Sequence, residues 1–173
     1  QYLGTFLLLA MVTVLAIGTL LTFRPSPIST ALDSTTEETK RSWLQMIMQP
    51  TYLVAMFAAA SGQGIMILGM TAAPIAMTSY GHELASTALV IQLHVLGMFV
   101  PSFFTGALIT RYGVLQIMFA GAILLLGHIL FALSGVGFSS FAIALVLLGV
   151  GWNFLFIGGT TLLTTTYTSA ERA

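Results

Sequence analysis

Cysteine is absent from this sequence, and charge is nearly so. Without cysteine there is no disulfide framework, no thiolate nucleophile and no thiolate metal site. Lysine and arginine number five, aspartate and glutamate five, and together they make up 6% of the 173 residues. A soluble domain carries about 25% charge, so a water-facing surface could not be covered with what is present. The formal net charge of zero gives nucleic acid or an acidic partner nothing to bind. What fills the chain instead is apolar: 57% hydrophobic residues and a mean hydropathy of +1.00. This is the composition of a membrane protein.

The same scarcity argues against catalysis. No Asp, Glu, Lys or Arg lies well inside an apolar run. His82-Glu83-Leu-Ala-Ser86 starts like a zinc H-E-x-x-H motif but has serine where the second ligand belongs. Gly149-Val-Gly151 lacks the strand context and third glycine of a dinucleotide loop. Ser61-Gly62 and Ser134-Gly135 have no companion pattern that would mark a nucleophile. The expectation is no enzyme, no metal and no cofactor.

Five runs are long enough to cross a bilayer as helices, which takes about 20 residues: Tyr2–Phe23, Thr51–Tyr80, Leu84–Thr110, Val114–Ser134 and Phe138–Thr168. Uninterrupted runs of this length exclude barrel strands, so the expected fold class is an all-α membrane protein with five transmembrane helices. The division is residues 1–23 as one membrane helix, 24–50 as a hydrophilic linker and 51–173 as a four-helix bundle. In the linker, Ser34-Thr-Thr-Glu37 has capping-box spacing and predicts a short helix whose apolar side rests on the interface. The chain opens at Gln1 inside an apolar run and reads as a fragment.

All five basic residues fall on alternate turns. Arg24, Lys40 and Arg41 follow the first run, Arg111 the third and Arg172 the fifth. By the positive-inside rule the start of the chain is outside and its end cytoplasmic; the expected location is the inner (plasma) membrane. Between Glu83 and Glu171, Arg111 is the only charged residue; beside Gly113 it marks a tight turn at the bilayer surface.

Polar residues inside the runs are the candidate sites. At about 100° per residue, Thr87, His94, Met98, Pro101 and Thr105 share one face of the third run, with Gln92 nearly opposite. His94 sits near the middle of its run, where an ionisable group is a functional candidate by default and the alternative is a neutral histidine bonded to a neighbouring helix. Gly149, Asn153, Thr160 and Thr164 form a stripe on the fifth run. Asn153 either contacts substrate or joins two helices. Trp152 points about 100° away and serves either cavity or packing. Gln63 is the candidate on the second run, where alanines and glycines four apart, such as Ala55/Ala59 and Ala58/Gly62, allow close helix approach. His128 is the histidine of the fourth run.

Gly106-Ala-Leu108-Ile-Thr110-Arg111-Tyr-Gly113 resembles the G-x-L-x-D-R-x-G signature of the major facilitator superfamily, with Thr110 in place of the aspartate. Val90-Ile-Gln-Leu-His94-Val-Leu-Gly-Met-Phe99, Leu148-Gly-Val-Gly-Trp-Asn-Phe-Leu-Phe-Ile-Gly-Gly-Thr160 and Tyr167-Thr-Ser-Ala-Glu-Arg172 are similar to bacterial permeases of that family. The resemblance implies the sixth to tenth helices of a twelve-helix transporter, with the second, third and fifth runs lining the central cavity and the other two outside it. It implies transport of a small molecule by alternating access, with Gln63, His94, Trp152, Asn153 and Thr160 in the cavity and Gly106, Arg111 and Gly113 in a gating turn. Its partners would be the bilayer, the substrate, the remaining transporter helices and protons as coupling ion. The apolar, aromatic and amide character of the candidates favours an exporter of drugs or metabolites. A membrane scaffold or insertion factor is the alternative; it would need the helix packing and no polar cavity face.

Overall fold

The computed structural model describes residues 43–167. They form helices α1 (Trp43–Ile47), α2 (Pro50–Ser79), α3 (Leu84–Phe99), α4 (Ser102–Tyr112), α5 (Val114–Ser134) and α6 (Phe138–Thr164). No strand occurs among the described residues. Four segments are long and apolar enough to span a membrane: α2, α3 with α4, α5 and α6. The first run, the Ser34–Glu37 capping box with the start of its helix, and the closing Glu171-Arg172 lie outside the described residues.

The chain's punctuation explains the helix ends. Pro50 occupies the first position of α2, where its missing N–H costs nothing. Gly81, with φ of 81°, closes the turn into α3, and Gly113, with φ of 90°, separates α4 from α5; a side chain is strained in that region of backbone space. The membrane threonines and serines are largely absorbed by their own helices. Thr71 donates to Ile67 O at 2.8 Å and Thr78 to Pro74 O at 3.0 Å, so neither leaves an unsatisfied hydroxyl facing lipid.

The third run differs from expectation. It is not one helix over Leu84–Thr110 but two, interrupted at Val100-Pro101. Pro101 has no N–H to continue the ladder of α3. Beyond it, Phe103 N reaches back only three residues, to Val100 O at 3.4 Å. Both residues at the break keep right-handed helical dihedrals.

α6 organises the bundle. α2, α3 and α5 each pack along it, whereas α2 and α3 scarcely meet. Lipid tails are as apolar as leucine, so helices here are held by close packing and interhelical hydrogen bonds rather than by exclusion of water. The glycines of α6 make that approach possible. A Cβ on Gly149 would stand 2.6 Å from His94 O of α3; one on Gly159 would stand 3.0 Å from Ala55 O of α2; one on Gly151 would stand 3.0 Å from Gly121 O of α5. Between these seams lie two apolar clusters. One joins Ala55, Ala58, Met118, Leu125, Leu148, Leu155 and Leu162; the other joins Ala73, Met77, Val90 and Leu145.

The two turns without lysine or arginine are tied together. His82 Nε2 donates to Val136 O at 2.7 Å, and its ring meets Phe141 edge-on at 5.8 Å. At the opposite turn Arg111 is exposed in the last turn of α4, where its charge complements the free carbonyls, and its guanidinium lies 5.2 Å from the Tyr112 ring centroid.

Candidate functional site

Because α2 and α3 both lean on α6 and meet each other only slightly, a strip of α6 stays accessible. Residues four apart share a helix face, and Trp152, Phe156 and Thr160 follow that spacing: Trp152 is half-buried, Phe156 and Thr160 exposed. The Trp152 and Phe156 rings are stacked, with centroids 4.9 Å apart and planes 12° from parallel. From α2, half-buried Gln63 closes over this pair: Trp152 Nε1 donates to Gln63 Oε1 at 2.9 Å. The indole N–H is thereby satisfied, and the Gln63 amide keeps its N–H groups as donors. Thr160 Oγ1 donates to Phe156 O at 2.8 Å and Ile157 O at 3.0 Å, which leaves its oxygen lone pairs as acceptors. A flat aromatic surface with one amide donor and one hydroxyl acceptor at its margin is suited to a planar molecule with polar edges.

His94 and Asn153 sit elsewhere. Both are essentially wholly buried, at 0% and 1% exposure, between α3/α4 and α6. His94 Nδ1 lies 2.8 Å from Leu145 O; a carbonyl only accepts, so Nδ1 carries the proton and Nε2 is the bare lone pair. That Nε2 has no hydrogen-bond partner. On the other flank of α6, His128 Nδ1 lies 2.8 Å from Ala144 O, so two histidines from α3 and α5 donate to consecutive carbonyls of α6. The polar face foreseen on the third run therefore points at α6: Thr87, His94 and Thr105 are buried, and Gln92 opposite is exposed.

Asn153 spends its whole amide on the Pro101 break. Nδ2 donates to Met98 O at 2.8 Å and to Ser102 Oγ at 2.5 Å, and Oδ1 accepts from Thr105 Oγ1 at 2.7 Å. A broken membrane helix needs such repair from a neighbour, because no water is there to supply it. Gly106 and Gly113 have open space where a Cβ would stand, and Arg111 is exposed, so the signature turn is unpacked on the described side.

The structure thus brings Gln63, Trp152 and Thr160 to one accessible strip and puts His94 and Asn153 behind it. Phe156 was not singled out from the sequence. Its i+4 spacing from Trp152 was the available signal. No group of three or more metal-ligating side chains occurs among the described residues. A hollow of about 390 Å³ between α2 and α5 is lined by Phe57, Ser61, Leu125, Ile129 and other side chains that are almost all apolar.

Four apolar helices packed through glycine and buried amide contacts define a multi-pass α-helical membrane protein. Over 172 residues the chain is 40% identical to the riboflavin transporter RfnT of Brucella anthropi, a match covering 99% of this chain and 43% of that protein. It is 39% identical over 113 residues to the uncharacterized MFS-type transporter YdeG of Bacillus subtilis, covering 64% of this chain and 26% of that one. It is 42% identical over 103 residues to the uncharacterized MFS-type transporter YddS of the same species, covering 58% of this chain and 24% of that one. No family model and no solved structure matches. The chain spans less than half the length of these relatives. It belongs to the major facilitator superfamily.

Proposed function

We propose that this chain supplies one wall of the substrate path in a transporter that moves a flat, aromatic small molecule by alternating access. The observation that carries this is the stacked Trp152–Phe156 pair hydrogen-bonded across to Gln63 on the accessible strip of α6. A planar ring system can stack on that pair, while Gln63 N–H and the Thr160 oxygen meet polar groups at its edge. The name of the relative RfnT supports this substrate class, since riboflavin is a planar heterocycle with polar margins. His94 and Asn153 shape the path from behind, and the Gly106–Gly113 turn takes part in gating. The Arg111 turn lies on the cytoplasmic side of the inner membrane. Export, which the apolar, aromatic and amide character of the candidate residues favours, and proton coupling, which the family resemblance implies, are the proposed direction and coupling.

The test uses riboflavin as the probe, with the protein expressed from its native gene. Removing one stacking face costs about 0.5–1.5 kcal/mol beyond buried area, and losing one neutral hydrogen bond costs a similar amount. Trp152→Ala and Gln63→Leu should each weaken binding about threefold to tenfold at unchanged abundance in the membrane. Normal affinity in both variants would remove the strip from the path. Saturable flux that responds to an imposed proton gradient separates a transporter from a scaffold or insertion factor, which would show none.

A further inference from the structure

α4 is an arm with a single fully buried fastening, and it meets α5 beside the Gly113 turn. Of its eleven residues, Ser102–Tyr112, only Thr105 is buried. Thr105 is held by Asn153, and Asn153 Nδ2 simultaneously grips Met98 O and Ser102 Oγ on the two sides of the proline break. α3, by contrast, is anchored independently. Gly97 meets Val146 O, Gly149 meets His94 O, and His94 is bonded to Leu145 O, all upstream of Pro101. One half of the span is therefore welded to α6 and the other is pinned to it through one amide, with a proline between them.

We propose that Asn153 is a positioning residue, the latch of a hinge at Val100-Pro101 that sets the angle of α4 against α6. The amide stands in for the backbone ladder that Pro101 interrupts. Holding Met98 O from one side and Thr105 Oγ1 from the other, it fixes the two half-helices in their right-handed course. With the latch open, α3 stays on α6 through its glycine seam, and α4 turns about Pro101. It carries the Arg111–Gly113 turn with it and widens or narrows the strip bearing Phe156 and Thr160. Small hinges of this kind need only a few residues to absorb the change in backbone angle.

The latch is a claim about motion, so the test measures distance. Spin labels at Thr110 on α4 and Thr164 on α6, both exposed, report the arm; labels at Gln92 on α3 and Ile143 on α6 report the weld. Thr105→Val keeps the side chain's size and removes the hydroxyl bonded to Asn153; Asn153→Ala removes the whole latch. The loss of one neutral hydrogen bond should raise the population of the second arm position about threefold to tenfold. The arm distance should gain a second component in Thr105→Val and a larger one in Asn153→Ala, with the α3–α6 distance unchanged in both. Arm distances identical to those of the unsubstituted protein in a folded Thr105→Val would overturn the proposal. So would equal broadening of both pairs, or a lowered melting midpoint with neither distance moved, since each would mark Asn153 as packing alone.

Discussion

Replacing Gly149 by alanine places a methyl group where the structure has backbone. The added Cβ would lie 2.6 Å from His94 O and 2.9 Å from Gly97 C and Met98 N. The first of these is roughly 0.8 Å short of the 3.4 Å at which ordinary contact begins. None of the three atoms belongs to a side chain that can rotate away, so α3 and α6 must separate. Overpacking of this kind costs about 1–3 kcal/mol, and separation also stretches the Asn153 bond to Met98 O. Gly158→Ala gives a graded contrast. Its Cβ would meet Met118 Cγ at 2.5 Å, but a methionine side chain can move, and the cost should fall below about 1 kcal/mol. Gly64→Ala meets nothing within 4 Å and should be neutral or stabilising by up to about 1 kcal/mol through helix propensity. Thermal unfolding of the three variants in one detergent gives the assay, with the midpoint falling in the order Gly64→Ala, Gly158→Ala, Gly149→Ala. If Gly149→Ala melts with Gly64→Ala, the α3–α6 seam is not a backbone contact.

Other outcomes follow from the same contacts. Cysteine introduced at Arg111 should react with an impermeant thiol reagent only from the cytoplasm, and one at His82 only from outside; labelling of both from one side would break the topology. Arg111→Ala should change the rate of switching between open states and leave equilibrium binding nearly intact, because the turn stands at the end of α4, away from the Trp152 strip; a large loss of affinity would contradict this.

Much of the architecture was written in the chain. Run length and turn chemistry placed α2, α5 and α6 to within a few residues, because Pro50, Gly113 and Gly137 leave a helix little choice about where to begin. The Pro101 break was not read, because apolar residues on both sides of Pro101 hid the interruption. Periodicity grouped Thr87, His94 and Thr105 correctly on one face, but a face does not name its neighbour. In lipid every side of a helix is apolar, so the usual contrast between wet and dry faces is missing. The pairing of Gln63 with Trp152 joins residues 89 positions apart, and spacing within a single helix carries no information about it.

The central claim is that the strip of α6 carrying Trp152, Phe156 and Thr160 faces the substrate path. The chain has no cysteine of its own, so a single cysteine placed at Thr160 is a clean probe, and one at Ile123, exposed on α5, is its lipid-facing control. The decisive measurement is the rate at which a small hydrophilic thiol reagent modifies each, with and without riboflavin. Modification should be fast at Thr160→Cys and slowed severalfold by riboflavin, and slow at Ile123→Cys whether or not riboflavin is present. An inert Thr160→Cys, or one whose rate is the same with and without riboflavin, would contradict the central claim.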